Sequence, residues 1–129
     1  VKAVEHMTYD PETLSTLNHL KSQRYRLALV TLQGRRASQL VLKRLKITKL
    51  FEYALTREDS LFRHEQIKAA LQRMALLPSE VVMVGDKLND LESARRVGCP
   101  IILVEKHHTK SLPADRVVNS IQELKARLL

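Results

Sequence analysis

The sequence of 129 residues has one cysteine, Cys99. No internal disulfide framework can form, and a reducing, cytoplasmic compartment is the expectation. No apolar run approaches the ~20 residues that a membrane-spanning helix needs. The start, VKAVEHMTYD, lacks the long apolar stretch of a secretory signal. Aromatic residues make up 4%, too few to suggest single-strand recognition by stacking. No Cys or third His is spaced to complete a zinc site around His107 and His108, which read as a solvated loop. Repeats, low-complexity tracts and linker-like segments are also absent. The Asp-x-Asp pattern does not occur anywhere.

What is present is an ordinary balance of 44% apolar and 28% charged residues, consistent with one globular domain over residues 1–129 with a real core. The net charge of +8 favours acidic partners such as phosphates. Its lysines and arginines are scattered over most of the expected helices, so nucleic acid and membrane are not expected partners. The basic stretch RRASQLVLKRLKITK reads as a helix with its apolar residues on a sheet and its charges in water.

Short apolar runs alternate with helical patterns. Pro11–Gln23 opens with Asp10 as N-cap and Pro11 at the first helical position, with Leu14, Leu17 and Leu20 on one face. Arg26–Thr31 (RLALVT) reads as a buried strand. Gly34–Lys46 reads as a helix that turns Leu40, Leu42 and Leu45 inward. Tyr53–Thr56 is a weaker strand, and His64–Leu76 a helix with Ile67, Leu71 and Met74 inward, stopped by Pro78. Val81–Val84 is a strand, Leu88–Val97 a helix with Gly98 as C-cap, and Ile101–Val104 a strand. Val117–Val118 is a short last strand before a helix at Ile121–Leu128. Strands that are apolar throughout and alternate with helices predict an α/β, Rossmann-like parallel sheet with helices on both faces. Ligands bind such sheets beyond the carboxyl ends of the strands, which directs attention to Thr31, Thr56, Gly85–Asp86 and Glu105.

Asp86 leaves a strand directly after Gly85, and Asp90 follows four residues on. Two oxygen donors at one strand tip suit Mg²⁺, which takes few protein carboxylates and keeps waters and phosphate oxygens. Equally, Asp86 or Asn89 caps the next helix and Asp90 favours its dipole. Thr31 is either a phosphate ligand or a threonine that caps the next helix. Cys99, between Gly98 and Pro100, is expected to be buried and inert.

The stretch VVMVGDKLNDLESARRVGCPIILV (Val81–Val104) resembles the last motif of the haloacid dehalogenase-like superfamily, mostly phosphatases: an apolar strand, G-D-x-x-x-D, a helix with a small residue (Ala94), a glycine and a further strand. TYDPETLSTLNHLKSQRYRLALVT resembles the segment that leads back into the family core. The likeness runs from about Tyr9 to Leu129 and is nearest the phosphoglycolate phosphatase-like branch. It implies Mg²⁺ on Asp86 with Asp90 acting directly or through water, phosphate on Thr31, and a phosphorylated small molecule as ligand.

The resemblance also implies parts that the sequence lacks. The family's aspartate nucleophile stands in an Asp-x-Asp motif on the first, central strand, and the family's phosphate-neutralising lysine would fall near Leu61. Arg63 is the nearest cation and Lys68 the next; Arg63 is either a substitute at the phosphate or a solvated charge at a helix start. VKAVEHM carries Lys2, Glu5 and His6 and is a poor central strand, so the first strand and the cap are expected to be missing and the domain incomplete at its N-terminus. The slot between the inner edges must then be filled by VKAVEHM itself, by a partner chain or missing segment, or by direct pairing of the two edges, and self-association is an expectation. Two functions follow: the core of a Mg²⁺-dependent phosphomonoester hydrolase that is inactive as this isolated chain, or a non-catalytic relative that binds phosphate or protein.

Overall fold

The computed structural model of the chain describes residues 2–4, 11–44, 46–85, 87–104 and 116–118. In order these form β1 (Lys2–Val4), α1 (Pro11–Ser22), β2 (Leu27–Val30), α2 (Arg35–Arg44), a 3₁₀ turn (Thr48–Leu50), β3 (Tyr53–Leu55), α3 (Arg63–Met74), a second 3₁₀ turn (Pro78–Glu80), β4 (Val82–Gly85), α4 (Leu88–Val97), β5 (Ile101–Val104) and β6 (Arg116–Val118). The six strands make one parallel sheet in the order β3-β2-β1-β4-β5-β6. This is the doubly wound plan that the alternation of elements predicts. The expected helix at Ile121–Leu128 and the Asp10 cap lie outside the described residues.

Side chains alternate along a strand, so β2 feeds both faces of the sheet. Leu27 and Leu29 point to the side covered by α1 and α2, where they pack with Leu17, Leu20, Leu42, Ile47 and Phe51. Ala28 and Val30 point to the other side, against Ile67, Leu71 and Met74 of α3 and a shared cluster that includes Leu91 and Ala94 of α4 and Met83, Ile101 and Leu103 of the sheet. Burying a leucine fully contributes about 1.5–3 kcal/mol, so the two clusters hold the layers together without any cross-link. Cys99 is buried in the second cluster, and burial pushes its thiol up to about 11, which keeps it protonated and inert as expected.

The first correction concerns β1. The segment judged too polar for a central strand fills the central slot: Lys2 and Ala3 pair with Leu27 and Ala28 on one side, and Lys2, Ala3 and Val4 with Val82, Met83 and Val84 on the other. Three residues suffice because Lys2 and Ala3 find a neighbour strand on both sides and Val4 on one, and their single charge stands at the first position. Glu5 and His6 lie outside the described residues. The first strand is therefore present, and the case for self-association through open inner edges loses its ground. A second correction concerns α2. Leu42 is buried at 4% exposure, but Leu40 is 62% exposed. Two residues apart on a helix is about 200° of rotation, so both cannot face the sheet. Leu45 lies outside the described residues.

Each of the four described helices is followed within two residues by one in the left-handed region, and among these only Gly98 is glycine. Gly98 stands at φ 94°, and Arg24, Lys46 and Ala75 at 67°, 59° and 57°. Ala75 closes α3 with its N–H on the carbonyls of Leu71 and Gln72, the geometry that usually selects glycine. Ala75→Gly is expected to raise stability by about 0.5–1 kcal/mol in urea unfolding, since the Cβ penalty of the left-handed region is removed. Ala3→Pro is expected to cost about 3 kcal/mol or more, because proline cannot donate in a strand paired on both sides. An unchanged urea midpoint for Ala3→Pro would show that Lys2–Val4 does not pair centrally.

Candidate functional site

The order of strands reverses between β1 and β4, which marks the crevice where ligands of such sheets bind. Ala3 is level with both Ala28 and Met83. Counting two residues on, Val30 and Gly85 are level at the carboxyl edge, roughly 10 Å apart across β1 at the usual strand spacing. Thr31 and Asp86 follow them directly in sequence. Asp86 itself lies outside the described residues, as do Glu105, His107 and His108.

Thr31 is buried at the tip of β2. Its N–H donates to Leu55 O at 3.0 Å, its Oγ1 accepts from the Gln33 N–H at 3.1 Å, and its carbonyl accepts from Gln66 Nε2 at 2.6 Å. The threonine thus organises a turn rather than capping α2, and its hydroxyl proton remains for an outside acceptor. The start of α2 is met instead by Glu58, whose Oε2 accepts from the Arg35 N–H at 2.5 Å and from the Thr56 hydroxyl at 3.0 Å. That hydrogen bond from Arg35 holds the Glu58 carboxyl below its ordinary pKa. Asp59, next along, is lowered mainly by the Thr56 N–H that it accepts at 2.8 Å.

Gln66 is the residue that sequence reasoning missed. It is fully buried, and Nε2 bridges Thr31 O to Ser60 O, the latter at 3.2 Å. It ties the turn after β2 to the loop that delivers Arg63. The signal was there: Gln66 stands four residues before Ala70 and eight before Met74, in phase with the inner face of α3.

Arg63 is a further correction to the solvated reading. Its side chain is 2% exposed and forms an ion pair through Nη1 with Oδ1 of Asp90, which is 0% exposed. The other Asp90 oxygen accepts from the Lys87 N–H at 3.1 Å, so Asp90 also satisfies the backbone N–H of the N-cap residue at the start of α4. Arg63 is buried because it precedes Ile67, Ala70 and Met74 by four, seven and eleven residues and so shares their inward face. Gly85 completes the unit. A Cβ there would meet the Cβ, Cγ and Oδ2 of Asp90 at 2.5 Å, so only glycine lets the acid pack on the strand end. Lys68 is exposed and takes no part.

Among the described residues no three His, Cys, Asp or Glu converge to hold a metal. Asp90 offers hard oxygens, as Mg²⁺ requires, yet each already accepts a hydrogen bond. No described helix is long and apolar enough to cross a membrane.

The sequence profile of the haloacid dehalogenase-like hydrolases matches residues 1–104. Glyceraldehyde 3-phosphate phosphatase of Methanothermobacter thermautotrophicus is 34% identical over 129 aligned residues, covering 89% of this chain and 56% of that protein. Pyrophosphatase PpaX of Bacillus mycoides is 26% identical, covering 84% and 54%. Among solved structures, a HAD phosphatase from Thermococcus onnurineus superposes with a TM-score of 0.83 at 27% identity, covering 92% of this chain and 57% of that one. The chain therefore spans about half the length of the relatives it matches.

The buried pair predicts an asymmetry. Arg63→Met strands the Asp90 charge and is expected to cost about 3–5 kcal/mol, whereas Arg63→Met with Asp90→Leu restores most of that loss. Urea unfolding of the single and double variants measures it; equal losses in both would show that the charges are not coupled.

Proposed function

Because this chain belongs to the haloacid dehalogenase-like hydrolase family, we propose that it binds a phosphorylated small molecule together with Mg²⁺ at the carboxyl edge of its sheet, and that it does not hydrolyse it. One observation carries this reading. The central strand, which bears the nucleophile in the family pattern, is present and paired on both sides as Lys2–Val4. The sequence after it, EHMTYD, contains no Asp-x-Asp. The resemblance puts the family lysine near Leu61, and residues 57–67 contain no lysine.

In this reading Thr31 donates its hydroxyl to a phosphate oxygen, and Gln66 holds the turn on which Thr31 stands. Arg63 stands behind the site with its charge met by Asp90. Asp86 ligates Mg²⁺ and Asp90 reaches it through water. The ion supplies a compact dication against which a phosphate monoester dianion loses its charge repulsion with the carboxylates. Without an aspartate positioned to attack phosphorus, no aspartyl-phosphate forms and the ester survives.

The alternative, hydrolysis with a nucleophile supplied by other sequence, is less well supported. A strand bringing Asp-x-Asp from elsewhere would need the slot that β1 occupies. The half-length coverage of the relatives is the observation that keeps hydrolysis worth testing.

Titration calorimetry with Mg²⁺ and inorganic phosphate is expected to show binding of both. Thr31→Val should weaken phosphate about tenfold or more, the loss of a hydrogen bond to a charged group, and Asp86→Asn should abolish the Mg²⁺ signal. p-Nitrophenyl phosphate with Mg²⁺ should not be turned over. Robust turnover lost on Asp86→Asn would overturn the non-catalytic reading.

A further inference from the structure

The ion pair of Arg63 with Asp90 is almost wholly out of water, its side chains 2% and 0% exposed. A surface pair contributes little and exchanges with water and salt. In this buried one neither charge has solvent to turn to, so each is held at the other. Asp90 is fixed as well as paired. Arg63 Nη1 donates to Oδ1, and the Lys87 N–H donates to Oδ2 at 3.1 Å. The acid lies so close on Gly85 that a Cβ there would meet it at 2.5 Å. Gly85 directly precedes Asp86, so the paired acid packs against the strand end from which the proposed Mg²⁺ ligand departs.

A divalent ion is drawn to a site by the carboxylate charge around it and repelled by a fixed cation. Of the two acids in Gly-Asp-x-x-x-Asp, Asp90 already has its charge met inside the chain. Resting on the reading of Mg²⁺ beside phosphate above, we propose that Arg63 competes with the divalent ion for Asp90 and so keeps the Mg²⁺ affinity of the free site low. The guanidinium is always charged and is tethered to the start of α3, whereas the ion must arrive from solution. Arg63 is therefore a positioning residue: it acts on the ion through Asp90. A phosphate dianion supplies the negative charge that Arg63 has taken up. Ion and phosphate thus enter such a site together, each tightening the other by linkage.

Titration calorimetry with MgCl₂ at constant ionic strength tests the competition on the native chain and on variants. Arg63→Gln keeps a hydrogen-bond donor but removes the charge, and is expected to bind Mg²⁺ roughly tenfold tighter, the scale of one unpaired charge acting on a dication. Damage to the fold would weaken binding, so a gain separates this role from a merely structural one. Arg63→Lys restores the charge and should return to within about threefold of the native affinity. Asp90→Asn added to Arg63→Gln removes the contested acid and should cancel the gain. The rise of the urea midpoint with Mg²⁺ should follow the same order. If Arg63→Gln is unfolded alone, millimolar Mg²⁺ should refold it. Competition for Asp90 is ruled out if Arg63→Gln binds Mg²⁺ no tighter than the native chain or is not refolded by it. An equal gain in Arg63→Lys, or a gain that survives Asp90→Asn, would also reject it. Absence of any Mg²⁺ binding in both the native chain and Arg63→Gln would overturn the metal half of the reading above, and this inference with it.

Discussion

Backbone pairing by Lys2–Val4 joins two half-sheets that otherwise have no contact through hydrogen bonds: β3-β2 on one side and β4-β5-β6 on the other. Because the strands are parallel, this one short segment also sets both halves in register, so that Val30 and Gly85 end level. A candidate site built from the turns after β2 and β4 exists only because β1 stands between them. Unpaired inner edges in a buried sheet are costly, which is why a segment of modest strand character is drawn into the slot.

Around that frame the polar groups are held by specific buried contacts rather than by surface charge. Asp90 is fixed from three sides: Arg63 on one oxygen, the Lys87 N–H on the other, and the bare backbone of Gly85 beneath. Gln66 joins the Thr31 turn to the Ser60 loop. An ion pair with both partners out of water is a weak source of net stability but a strong source of definition, since removing either charge exposes the full desolvation cost of the other. The pair therefore serves to position α3 and α4.

How much of this was legible varied with the kind of signal. Strand apolarity, helix periodicity and Gly98 placed most elements to within a few residues, and Leu17, Leu20, Ile67, Leu71 and Met74 are buried as their spacing predicts. The G-D-x-x-x-D stretch led to Asp90 and to the end of β4. Leu40 was misjudged because apolarity was weighed without its phase. Arg63 was misjudged the other way, because its charge was weighed without its phase, although its inward register was open to view. Gln66 offered no family pattern, only its place on the buried stripe of α3.

The sequence by itself determined the alternation of strand and helix and the two-faced core, because periodicity and residue chemistry are local and additive. Only the tertiary structure decided that Lys2–Val4 is the central strand and that Arg63 and Asp90 neutralise one another. Each of these depends on which distant segments are brought together, and the energy of a backbone ladder or a buried charge is set by its neighbours in space rather than along the chain.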